Sequence, residues 1–148
     1  MTDLWYAIAH HVLVFGMVAM LAAESALVRP GMSAADITRA SRLDGIYGAL
    51  ASLVILVGVL RVIYGAKGSD FYLDNHWFWA KMFAFAVMGL LSIPPTLRLL
   101  RWRLALRSNA GFFPTPTEIG TVRRYMRFEL ILVVAVVAFA AAMARYTR

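Results

Sequence analysis

The chain has 148 residues, 61% of them hydrophobic and 16% charged, with a mean hydropathy of +0.70. That balance excludes a water-soluble globule and leaves room for about four membrane spans of about 20 residues each, with no separate soluble catalytic domain. The absence of cysteine excludes disulfide relays, thiolate metal sites and covalent haem attachment, so any redox chemistry requires a bound cofactor.

The first span is expected over residues 4–28, where Arg29, Pro30 and Gly31 end it because proline and glycine together do not continue a helix. The opening MTDLWYAIAH carries an acid rather than basic residues before the apolar run, which predicts a retained helix. Ser33 followed by Asp36 reads as an N-cap with an acidic first turn. A polar helical stretch therefore leads directly into the second span, 44–64, which Gly65, Lys67 and Gly68 close. After the polar loop GAKGSDFYLDN, Asp74 and Asn75 are caps for a third span over 76–93, and Pro94 and Pro95 are expected to kink or end it. The following LRLLRWRLALR mixes leucine, tryptophan and arginine as expected of a segment among lipid headgroups. Thr115, Pro116 and Glu118 supply cap, first-turn proline and capping-box acid for a last helix that spans over 126–145. The fold class is thus an all-α integral membrane four-helix bundle forming one domain, with no internal repeat or linker.

With four spans, the loop joining spans one and two shares a side with the loop joining three and four. That side holds ten of the fifteen basic residues: Arg29, Arg39, Arg42, Arg98, Arg101, Arg103, Arg107, Arg123, Arg124 and Arg127. Arg61, Lys67, Lys81, Arg145 and Arg148 lie elsewhere. The positive-inside rule then places both termini on the outer, periplasmic side of a bacterial inner membrane. This accounts for the net charge of +7 without a nucleic-acid partner; the lipid bilayer is the expected partner.

Ionisable groups at bilayer depth are costly and should face a partner, a cavity or the interface. His10, His11, Arg61 and Lys81, with His76, fall near the outer ends of the spans, while Glu24, Asp44 and Glu129 fall near the inner ends. Steps of three and four put His10, Leu13, Met17, Met20, Glu24 and Leu27 on one stripe, with His11 about a hundred degrees away. The same arithmetic joins Asp44, Tyr47, Ala51, Val54, Gly58, Arg61 and Gly65 in span two, and Phe78, Lys81, Phe85, Met88 and Ser92 in span three. The outer layer thus gathers imidazole, guanidinium and ammonium groups, with Tyr64 and Tyr72 nearby, and favours an anionic ligand.

A haem b or related porphyrin satisfies such a layer, with His10 or His11 on the iron and Arg61 or Lys81 beside the carboxylates. The competing reading is that these side chains snorkel to headgroups without binding anything, and that Glu24 and Glu129 pair with Arg42, Arg127 or Arg29 to fix the packing. The chain is then a non-enzymatic membrane subunit, or a small transporter whose layers carry protons. Methionines scattered through the spans read as core filler rather than a copper box. Four short helices leave few faces to enclose a large plate, and this suggests a homodimer.

The segments ADITRASRLDGIYGALASLVILVGVLRVIYGAKG, FYLDNHWFWAKM and LLSIPPTLRLLRWR resemble a family of four-span bacterial membrane proteins over nearly the whole chain. More distantly, the early histidine of span one and the run from Trp77 to Lys81 resemble HemJ-type protoporphyrinogen oxidases, and the architecture resembles CopD-like membrane proteins. The HemJ resemblance implies a haem or porphyrin site using His10 or His11 together with Lys81, in redox or tetrapyrrole metabolism. The chain departs from the HemJ pattern after the histidine, where Glu24 and Ser25 stand, and this leaves the enzymatic assignment open.

Overall fold

The computed structural model describes residues 2–66 and 68–145, with side chains from Leu4 onward. Lys67 and Arg148, both counted above, lie outside the described residues. Five helices follow in order: α1 (Thr2–Leu27), α2 (Ala34–Tyr64), α3 (Gly68–Leu73), α4 (His76–Ser108) and α5 (Pro116–Ala144). All but α3 are long and apolar enough to cross a membrane. They run up and down: α1 packs along α2 and α4 along α5, and contacts of α2 with α4 and α1 with α5 close the ring.

Local chemistry sets the helix ends. Gly31, at a φ of +77°, turns the chain after α1 in a conformation that a side chain would strain. Ser33 accepts from the Asp36 N–H at 3.1 Å, while the Asp36 carboxylate accepts from the Ser33 N–H at 2.9 Å. Thr115 and Glu118 form the same reciprocal box at the start of α5, satisfying donors that the helix itself leaves orphaned. Replacing Ser33 or Thr115 by alanine is expected to cost about 0.5–2 kcal/mol, read as a lowered midpoint in thermal or detergent unfolding, with the helical content of the folded protein unchanged.

Asn75 caps α4 by accepting from the Trp77 N–H at 3.0 Å. Its amide also donates to the Met143 carbonyl at 3.4 Å, so one fully buried side chain ties the start of α4 to the end of α5. The loop expected between spans two and three contains α3, a short helix whose Tyr72 is buried edge-on against Phe78, with ring centroids 5.9 Å apart.

The third span does not end at the proline pair. Pro94 and Pro95 lie within α4, which continues unbroken to Ser108, although neither can donate to the carbonyl four residues back. Packing on both sides holds the helix together: Ala84 and Met88 are buried before the prolines, and Pro95, Leu99 and Trp102 at and after them. LRLLRWRLALR therefore follows the prolines without a break in the helix. It is the last part of a spanning helix, with Leu99 and Trp102 inward and Arg101, Leu104 and Arg107 outward.

At 31, 33 and 29 residues, α2, α4 and α5 are each about 44–50 Å long at ~1.5 Å per residue. They exceed the ~30 Å hydrocarbon layer. Their basic ends enclose a second core built from Val28, Met32, Ile37, Ala40, Leu99, Trp102, Ile119, Val122 and Met126. A smaller cluster of Met17, Leu21, Tyr47 and Met88 fills mid-bundle, methionine serving there as filler.

Candidate functional site

The helix faces place the polar side chains in two layers, as their spacing predicts. His10 and Glu24 are fourteen positions apart on α1, about 21 Å along the axis. On α1 and at its end the innermost residues are Met17, Leu21, Glu24 and, just past the helix, Val28. The seam therefore passes through Leu21 and Val28 rather than Met20 and Leu27, while Met17 and Glu24 keep their expected place. In α2, Asp44, Tyr47 and Val54 are buried and Ala51, Gly58, Arg61 and Gly65 half-buried. In α4, Phe78 and Met88 are buried and Lys81, Phe85 and Ser92 half-buried.

The outer layer is a cavity of about 230 Å³ whose lining includes His10 of α1, Gly58 and Arg61 of α2, Tyr72 of α3, Phe78, Lys81 and Phe85 of α4, and Val136 of α5. Among the described residues, no carboxylate lines it. Val59 and Ile63 of α2 and Met82 of α4 also contribute to its wall and are exposed, so it opens sideways between α2 and α4, toward lipid. His10 reaches it because position 58 is glycine: a Cβ there would lie 3.3 Å from the imidazole Cε1.

Among the described residues, no acidic side chain is paired with Arg61 or Lys81 in this cavity. Nδ1 of His10 and Nε of Arg61 are buried and make no hydrogen bond of ordinary geometry among the described residues; the Val54 carbonyl faces the imidazole from α2. The Lys81 ammonium lies 5.3 Å from the centroid of the Phe78 ring, a cation–π contact. His11 stands apart. It is exposed, points out of the cavity, and its Nδ1 lies 2.6 Å from the Ala7 carbonyl of its own helix. Tyr64 is also exposed, whereas Tyr72 is buried in the cavity wall. His76 sits at the start of α4 beside Trp77, with ring centroids 4.9 Å apart.

The inner layer is made of carboxyls and hydroxyls. Tyr47 Oη donates to Glu129 Oε2 at 3.0 Å, linking α2 to α5 across the bundle, and Thr96 Oγ1 donates to Asp44 Oδ1 at 2.7 Å, linking α4 to α2. Glu24 and Glu129 are each 1% exposed and Asp44 is 8% exposed. Among the described residues, the expected ion pairs of Glu24 and Glu129 with Arg29, Arg42 or Arg127 are not found: the three arginines are exposed, and Glu129 accepts from the Tyr47 hydroxyl. Among the described residues, no group of three or more histidine or acidic side chains is arranged to hold a metal ion. Tyr47 stands on the inward face that helical spacing gives span two, whereas Thr96, the partner of Asp44, carries no signal in the sequence that would single it out. Between the layers lie Met17, Leu21, Met88 and their apolar neighbours, so no continuous polar path joins them.

Four membrane-length helices around a lateral, cation-lined cavity define a small polytopic membrane protein. Its chain belongs to the DUF2214 family of predicted membrane proteins, whose family model matches residues 2–146. No curated protein and no solved structure matches it.

Proposed function

We propose that this protein binds haem b or a related porphyrin in the lateral cavity, from a bacterial inner membrane in which both termini face the periplasm. The observation that carries the reading is the convergence of His10, Arg61 and Lys81, from three helices, on one apolar cavity without a carboxylate. A mostly apolar ligand with an anionic edge is what such a cavity complements: its walls match a plate, and Arg61 and Lys81 match carboxylates. The resemblance of the first-span histidine and the Trp77-to-Lys81 run to HemJ-type enzymes points the same way.

The donor set fits the group in part. His10 would hold the iron through its imidazole, which the Val54 carbonyl faces, and no second histidine lines the cavity among the described residues. At about 230 Å³ the cavity is smaller than the ~300–1,000 Å³ that enclose a ligand, so it would hold only part of such a group and the rest would lie against the bilayer. Haem held there supplies one-electron redox chemistry, in keeping with a role in redox or tetrapyrrole metabolism. His10 would hold the iron, Arg61 and Lys81 would neutralise the carboxylates, and Phe78 and Phe85 would exclude water from the plate. The alternative role as a proton carrier has less support, because the mid-bundle cluster interrupts the path between the layers.

The test is the visible spectrum of the protein purified in mild detergent after haem supply during expression, oxidised and dithionite-reduced. His10→Ala is expected to abolish the Soret band, His11→Ala to retain it, and Arg61→Gln with Lys81→Gln to weaken haem binding about tenfold, as expected on losing two charge-assisted contacts. A folded wild-type protein with no Soret band, or a band lost with His11 rather than His10, overturns the assignment.

A further inference from the structure

A second concavity lies at the opposite, basic end of the bundle, between α2 and α4. It encloses about 400 Å³ and is lined by Arg42, Arg103 and Arg107 with Thr38, Ala34 and Ala110 among its other walls. Three arginines from two antiparallel helices line it, and among the described residues no acidic side chain does. Ala34 is the first residue of α2, whose N-terminal dipole adds positive potential. Three like charges around one concavity give it a positive potential that favours an anion.

The surroundings indicate which anion. One helical turn from Arg103 and Arg107 toward mid-membrane, Leu100 and Leu104 are 47% and 50% exposed, and one turn from Arg42, Ile46 is 48% exposed. On α2 the aliphatic stripe continues through Leu53 and Leu56. A charged pocket at the headgroup level thus opens onto two apolar stripes that lead into the hydrocarbon, and an anion carrying acyl chains satisfies both. We propose that Arg42, Arg103 and Arg107 form a binding site for the phosphate of an anionic phospholipid, seated between α2 and α4 with its chains along Leu100, Leu104 and Ile46. Guanidinium groups suit this role because their planar donor forks bind phosphate oxygens in pairs, and basic pockets between spanning helices are a recurrent way of holding anionic headgroups.

The experiment is native mass spectrometry of the delipidated full chain titrated with phosphatidylglycerol or phosphatidylcholine. One phosphatidylglycerol is expected to be retained in preference to phosphatidylcholine. The triple variant Arg42→Gln, Arg103→Gln and Arg107→Gln is expected to weaken that binding about a hundredfold, at about fivefold per basic residue. A control of equal charge change at the same end but outside the pocket, Arg101→Gln, Arg124→Gln and Arg127→Gln, should stay within about threefold of wild type. Ala110→Glu, at an exposed turn position, places an acid in the pocket without altering either helix, and it should also abolish retention should the triple variant fail to fold. Equal losses in the two triple variants, or no loss in the pocket triple or in Ala110→Glu, overturn the site. Arginine-dependent binding of inorganic phosphate without retention of phosphatidylglycerol overturns the lipid assignment in favour of a free anion.

Discussion

Replacing Trp102 with alanine is expected to lower stability by about 3–5 kcal/mol, the cost of deleting a fully buried aromatic side chain and leaving a cavity. Trp102 is 1% exposed and is the largest of the fully buried side chains. It sits in the core at the basic end with Val28, Met32, Ile37 and Val122, where the turn after α1, the lead of α2, the end of α4 and the start of α5 meet. The location decides the size of the effect. In the hydrocarbon layer a buried apolar side chain exchanges protein for lipid and gains little from leaving water. Beyond that layer unfolding exposes the same side chain to water, and the hydrophobic term applies in full. An alanine at Leu90, 66% exposed to the lipid side, is the matching control and is expected to change stability by less than about 0.5 kcal/mol. The measurement is reversible unfolding in mixed micelles; equal effects at the two positions would show that the basic-end core contributes nothing beyond that of a lipid-embedded contact.

The same distinction explains where the sequence could be read and where it could not. Helix starts were legible because a capping box is local: Ser33 with Asp36, and Thr115 with Glu118, act within four residues whatever the rest of the chain does. The end of the third span was not legible, since the local effect of Pro94 and Pro95 competes with burial of Leu99 and Trp102, and that burial depends on α5 and the turn after α1. The run LRLLRWRLALR is amphipathic either as an interfacial strip or as the tail of a spanning helix. Only a partner for its tryptophan separates the two.

The candidate site divides in the same way. Spacings of three and four were enough to put His10, Arg61 and Lys81 on inward faces, and the structure brings all three to one cavity. That His10 stands on an inward face and His11 does not also followed from rotation about a single helix axis. The partners of the acids did not follow, because a spacing rule describes one helix and says nothing about which helices stand opposite. Arginines close to the acids in sequence lie on outer faces, whereas the hydroxyls of Tyr47 and Thr96, remote in sequence from the groups they serve, complete the layer.

Those hydroxyls give a second measurable effect. Tyr47 of α2 and Glu129 of α5 stand on helices that pack against other neighbours in the ring, and their 3.0 Å hydrogen bond spans the diagonal. Glu129→Leu strands the Tyr47 hydroxyl at a site only 4% exposed, and Tyr47→Phe strands the Glu129 carboxyl. Each single change is expected to cost about 1–3 kcal/mol, the penalty of a buried polar group without its partner. The double variant leaves nothing stranded, so it is expected to be no worse than either single one, and replacing a buried polar pair by apolar groups is often neutral or stabilising. A double-mutant cycle in the same micelle assay should therefore return a coupling energy of about 1–2 kcal/mol. Strict additivity would mean that the hydroxyl and the carboxyl stabilise the bundle independently and that the diagonal bond contributes nothing. A coupling of the expected size makes this bond, rather than an ion pair to any of the basic-end arginines, the contact that fixes how α5 is rotated against α2. The rotation of α5 in turn sets which of its residues, Val136 among them, form the far wall of the cavity that His10, Arg61 and Lys81 line.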